Sequence, residues 1–198
     1  MTRIDEAEIQ AGPLRPTPGQ TVGPFFRFGL EYERCHEAAH PYAPGTIRLS
    51  GRVLDGAGAP IPDAILEIWQ RDEDGSIPRA RGSHRRDGHT FTGFARCATT
   101  DEGEFEFWTR NPGSADGEAP FFAVSVFARG LLDRLPTRIY LPEDEERLAA
   151  DPLLSTLTDA ERATMVAERT DDGNLRHTIR LQGPEETVFL AYASDRPE

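Results

Sequence analysis

The chain of 198 residues carries 34 acidic and 22 basic side chains, a formal net charge of −12. That balance excludes a nucleic-acid backbone as ligand, which needs clustered Lys and Arg. No apolar run reaches the roughly 20 residues of a membrane span. A hydrophobic content of 37% beside 28% charged residues suits a globular fold with a sizeable core.

Residues 1–16 are charged and lack an apolar h-region, so no secretory leader is expected there. Cys35 and Cys97 stand in unrelated contexts with no CxxC, and reduced thiols in a cytoplasm are the expectation. Residues 1–20 lack periodicity, contain Pro13, Pro16 and Pro18, and read as an extended arm. Residues 21–30 (TVGPFFRFGL) place Phe25, Phe26 and Phe28 directly after a Gly-Pro turn, so this part of the arm should dock. Residues 32–45 read as a polar loop.

Residues 48–54 alternate in polarity and residues 64–69 are apolar at nearly every position. Between them stand Asp55-Gly56, Gly58, Pro60 and Pro62, turn formers that suggest a central hairpin whose second strand is covered on both faces. A long polar connection over residues 73–93 leads to a strand at 94–98, a turn at 99–103 and an alternating strand at 104–109. Residues 120–128 (PFFAVSVFA) form the longest apolar run and predict a second central strand, followed by a short one at 137–141. The acidic stretch 142–157 reads as helical in pieces. Thr158 with Glu161 forms a capping box for a helix over 160–167. Strands at 175–181 and 187–192 complete the pattern, with His177 on the apolar side of the first. The fold class is therefore all-β: one β-sandwich of about eight strands over residues 1–198, with an N-terminal arm and a short helical insertion before the last strands.

Two clusters could carry chemistry. Cys35, His36 and His40 crowd soft and borderline ligands, but a zinc site wants a second cluster and Cys97 stands alone, so a solvated loop is the simpler reading. His84 and His89 have only Asp87 nearby as an orienting carboxylate, and are also read as solvated. No GxSxG, P-loop, GxGxxG or HExxH occurs. Composition and spacing alone stop at an acidic β-sandwich.

The ordered set GRVLDGAGAPIPDAILEIWQRDEDG, ATTDEGEFEFWT, NPG and PFFAVSVFARG carries a resemblance that spans about residues 17–192. It resembles the intradiol ring-cleavage dioxygenases, and within them the protocatechuate 3,4-dioxygenase family. The resemblance implies a ferric ion held by two tyrosinates and two histidines, hard donors that suit Fe(III). That centre chelates a catechol and activates it toward O₂, opening the ring between the hydroxyls. Here the expected Gly-x-Tyr reads Gly75-Ser76-Ile77, the expected Pro-Gly-x-Tyr reads Pro112-Gly113-Ser114-Ala115, and the expected His-x-His reads Phe121-Phe122-Ala123. Ile77, Ala115, Phe121 and Ala123 cannot ligate iron.

Loss of all four ligands beside intact sandwich motifs implies the α type of chain, which binds no metal. Its partner would be a homologous β subunit that binds the Fe3+ of the complex. The implied reaction converts protocatechuate (3,4-dihydroxybenzoate) to 3-carboxy-cis,cis-muconate, in the β-ketoadipate route of aromatic catabolism. On the same resemblance the arm, residues 1–30, docks on the partner. Thr21, Gly23 and Pro24 join the wall of its substrate cavity, with Phe25 where a tyrosine often stands. Arg129 is placed near the substrate carboxylate, with an interface salt bridge as its simpler alternative. Phe121 and Phe122 are read as filling the vacated metal pocket. A stand-alone β-sandwich binding or carrier module is the alternative from a different class.

Overall fold

The structure is a computed structural model that describes residues 17–80, 86–115 and 117–192. Among these residues eight strands form two four-stranded sheets. The first has the order β4 (Glu104–Arg110), β1 (Thr46–Leu54), β8 (Leu175–Arg180) and β7 (Glu168–Arg169). The second has the order β3 (Phe94–Ala98), β2 (Ile65–Trp69), β5 (Phe121–Phe127) and β6 (Leu135–Tyr140). Among the described residues, the paired strands run antiparallel except β1 with β8. Leu49, Phe107 and Ile179 of the first sheet meet Leu66, Val124 and Ile139 of the second in one fully desolvated core. This is the expected sandwich, with Phe105 and Phe107 inward as the alternation of β4 requires.

The expected central hairpin is not a hairpin. β1 and β2 lie in different sheets, and residues 55–63 cross between them. Pro60 and Pro62 have no N–H, so the return limb cannot extend a ladder on β1 and makes a single bridge, Leu54 to Pro60. β2 is inner in its own sheet, as expected, but its last residue Trp69 is 54% exposed and stacks on Phe94 at 4.5 Å between centroids. Gly51 lies where β1 meets β8: a Cβ there would sit 1.6 Å from the His177 carbonyl oxygen.

Both open edges of the sandwich are sealed by chain that is not strand. Along one edge the Cys35 carbonyl accepts from Arg96 N–H of β3 (2.7 Å), while Ala38 N–H donates to the Trp108 carbonyl of β4 (2.8 Å). The Cys35-to-His40 stretch is thus no solvated loop, since Cys35, Glu37, Ala38 and Ala39 are buried. Edge strands left bare would template further pairing, and this segment covers both. Along the opposite edge residues 187–192, expected as a strand, form none. Thr187 donates to the Arg180 carbonyl (3.0 Å) and Leu190 to the Pro136 carbonyl (2.7 Å), so the segment straddles both sheets instead of laddering on either.

The helical insertion holds α2 (Glu145–Ala150), a 3-10 turn at Leu154–Thr156 and α3 (Asp159–Ala163). α3 begins at the expected capping box but is shorter than expected. The arm contains α1 (Phe26–Leu30), a helix that residues 21–30 did not signal.

Candidate functional site: a pocket and a docked arm

The four positions that the resemblance singled out converge. Ile77, Ala115, Phe121 and Ala123 all line one cavity of about 190 Å³ at the end of the second sheet, with Trp69 at the rim. Two glycines hold its loops together. Gly75, at φ +82°, and Gly113 lie back to back, so that a Cβ on Gly113 would sit 2.4 Å from Gly75 N. Gly75 N–H and Gly113 N–H both donate to the Asp72 carbonyl, at 2.8 and 3.0 Å. That contact aims residues 77 and 115 toward β5, where register faces Ala123 to Trp69.

The cavity does not suit a ferric ion. Its wall holds Gln70, Ser114 and Glu118 as oxygen donors, and each is engaged elsewhere. Gln70 accepts from Thr109 and donates to the Arg110 carbonyl (2.9 Å). Ser114 accepts from Arg147 (2.7 Å), and Glu118 pairs with Arg138 (3.3 Å). Phe121 forms one wall, with the Arg138 guanidinium 3.9 Å from its ring centroid. Phe122 does not fill the pocket: alternation turns it to the other face of β5, where it is fully buried between the sheets. Behind the wall, Tyr140 donates to Asp151 (3.2 Å) and accepts from Arg138 (3.1 Å), and burial pushes its phenol up to about 12.

The arm residues gather elsewhere, at the opposite end of β5. Gly130 N–H donates to Thr21 Oγ1 at 2.6 Å, and Phe26 packs on Phe127 with centroids 5.9 Å apart. Phe26 N–H donates to the Gly23 carbonyl (3.1 Å), closing a turn with Pro24 at its second position. Only part of the aromatic run docks on its own sandwich, since Phe25 is 77% and Phe28 61% exposed. A Cβ on Gly23 would meet nothing within 4 Å, so this chain alone gives no reason for a glycine there. Arg129 Nη2 lies 3.3 Å from Asp63 Oδ2, and Arg27 Nε lies 3.5 Å from the other oxygen. Sequence reasoning missed Asp63 and Arg27. The pairing of Ile65 with Phe127 brings together the start of β2 and the end of β5, beside which Asp63 and Arg129 stand.

The remaining candidates make no site. Asp87 accepts from His89 N–H, Thr90 N–H and the Thr90 hydroxyl, which hold its carboxyl well below the usual range and close its own turn. His84 lies outside the described residues. Burial raises the Cys97 thiol to about 11, and among the described residues no group of three His, Cys, Asp or Glu is placed to hold a metal. His177 is buried, as expected of a core histidine, but its Nε2 lacks a partner.

The alpha chain of protocatechuate 3,4-dioxygenase from Burkholderia cepacia is 38% identical over 194 residues, covering 89% of this chain and 98% of that one. The chain belongs to the intradiol dioxygenase family. A family model described as Dioxygenase matches residues 31–121. The beta chain of the same Burkholderia cepacia enzyme is 31% identical over 145 residues, covering 65% of this chain and 59% of that one. Among solved structures, the dioxygenase domain of a dioxygenase–carbohydrate-binding fusion from Streptomyces sp. SirexAA-E superposes with a TM-score of 0.56 at 25% identity, covering 84% of this chain and 96% of that one. The similarity in sequence and the superposition of the fold thus agree. Among the described residues no helix is long and apolar enough to cross a membrane.

Proposed function

We propose that this chain is the iron-free α subunit of a two-chain, cytoplasmic protocatechuate 3,4-dioxygenase. Its partner is a homologous β subunit that carries the Fe3+. The complex opens 3,4-dihydroxybenzoate with O₂ to 3-carboxy-cis,cis-muconate, and this chain contributes Thr21, Gly23, Pro24, Phe25 and Arg129 to the cavity. One observation carries the reading. Thr21 and Arg129 lie together at one end of the second sheet, while the chain's own cavity lies at the other. Arg129 stands six positions beyond Ala123 along β5 and its exit, about 20 Å at strand rise. Arm and arginine therefore stand apart from the cavity that Ile77, Ala115, Phe121 and Ala123 line, which supports a site that they complete on another chain. The homology of both an alpha and a beta chain supports a hetero-oligomer of like folds.

The test is co-expression with the iron-bearing paralogue, followed by metal analysis and turnover. The chain alone should be colourless and free of iron, and the complex red-brown and active. A stable, iron-loaded and active homomer overturns the proposal. A tight monomer without affinity for the paralogue favours the binding or carrier module instead.

A further inference from the structure

We infer that Asp63 is a positioning residue, which orients Arg129 and the arm as one unit toward the partner's substrate. The inference rests on the reading of Arg129 given above. Asp63 stands two residues before β2 and Arg129 two residues after β5, and the pairing of Ile65 with Phe127 brings these two strand ends together. Its two oxygens face two different guanidiniums: Oδ1 lies 3.5 Å from Arg27 and Oδ2 lies 3.3 Å from Arg129. Arg27 belongs to α1, directly after the turn at Gly23 and Pro24. Its Nη1 also reaches the Thr99 carbonyl (3.4 Å). One carboxylate thus ties the arm helix and the arginine to a single point on the sandwich.

The backbone supports the same assignment. Asp63 has φ +63°, a conformation most residues avoid and Gly or Asn adopts at less cost. A side chain kept at such a position points to a task for that side chain. The charge count decides what the task is. One carboxylate between two guanidiniums leaves a net positive cluster, so Asp63 does not cancel the attraction for an anionic substrate. Arg129 is half exposed and uses one Nη on Asp63, which leaves its other donors for a ligand carboxylate. Without Asp63, the long Arg129 side chain would have to be ordered by the substrate itself.

The experiment uses the α/β complex with 3,4-dihydroxybenzoate and with catechol, which lacks the carboxylate. Asp63→Asn and Asp63→Gly both remove the carboxylate while accepting the positive φ, and Arg129→Ala is measured beside them. Both Asp63 variants should raise KM for 3,4-dihydroxybenzoate about fivefold, the scale of one partly exposed ion pair. The kcat and the KM for catechol should stay within about twofold of wild type. A merely structural role would move both substrates alike. If Arg129→Ala selectively raises the KM for 3,4-dihydroxybenzoate and neither Asp63 variant does, the inference fails while the reading of Arg129 stands. A fall in KM in the Asp63 variants also overturns it, because Asp63 would then be a competitor of the substrate. If Arg129→Ala treats both substrates alike, the reading of Arg129 and this inference fall together.

Discussion

His177 makes the stability of this chain depend on pH in a way its carboxylates do not. It projects inward from β8, is 5% exposed, and has an Nε2 without a partner among the described residues; its ring bonds to the Val166 backbone. An unfolded histidine titrates near 6.5, whereas burial pushes His177 down to about 4. Between those values the unfolded chain binds more protons, so stability falls as the pH drops from about 6.5 and falls no further below about 4. At about 1.4 kcal/mol per pH unit the interval corresponds to about 3 kcal/mol, of which about 2 is lost by pH 5. His177→Gln keeps an N–H for Val166 and an acceptor in place of Nε2, but cannot titrate. Urea unfolding of both proteins from pH 7.5 to 4.5 isolates the histidine, because the carboxylates are common to both. The variant should gain about 2 kcal/mol on wild type between pH 7.5 and pH 5. Stability curves that stay parallel across that range would refute the assignment, whatever the absolute cost of the substitution.

Two further substitutions test the packing around the sites. Gly51→Ala should cost more than about 3 kcal/mol and yield insoluble chain, since the new methyl meets the His177 carbonyl and the Phe105 ring and must part β1 from β8; a soluble variant of wild-type urea midpoint would contradict this. Asp151→Ala should cost about 3 kcal/mol or more, because this fully buried carboxylate accepts from Ala119, Leu153, Leu154 and Tyr140. The loss would be read from the same urea midpoints, and Asp151→Asn, which keeps one oxygen, should lose less.

The strands were legible because alternation and apolar runs report burial directly. β3 matches its expected bounds, and β4 and β5 match to within a residue at each end. Which sheet a strand joins was not legible. Pro60 and Pro62 look like turn formers between paired strands, yet the missing donors at those positions also permit a crossing, and alternation is the same in either case. The 187–192 segment failed for a related reason: Val188 and Leu190 pack against the cluster of Tyr140, Leu148, Leu154 and Met165, but its backbone bonds go to both sheets. The convergence of Ile77, Ala115, Phe121 and Ala123 was legible only through the resemblance, because three distant segments contribute. The Asp63–Arg129 pair was not legible, because it joins two loops just outside β2 and β5 and depends on a left-handed backbone at Asp63.

The fold needs no ligating side chain at residues 77, 115, 121 and 123, and the reason lies in where they stand. Ile77, Ala115 and Ala123 lie outside the core, and Phe121 is only partly buried against it. What aims these positions is backbone: the Gly75–Gly113 contact, the two bonds to the Asp72 carbonyl and the pairing of Ala123 with Trp69. None of these depends on a ligating side chain. The combined variant Ile77→Tyr, Ala115→Tyr, Phe121→His and Ala123→His should therefore regain ferric binding, with hard oxygen and nitrogen donors restored around one cavity. Fe(III) titration should produce a visible tyrosinate-to-iron absorption near one equivalent, absent from the parent and from the version lacking the two tyrosines. A folded variant that takes up no iron would mean that the loops do not bring the four positions within reach of one ion. The ring of Phe121, now stacked under Arg138, would be the first place to look, because a histidine there must displace that cation before it can meet a metal.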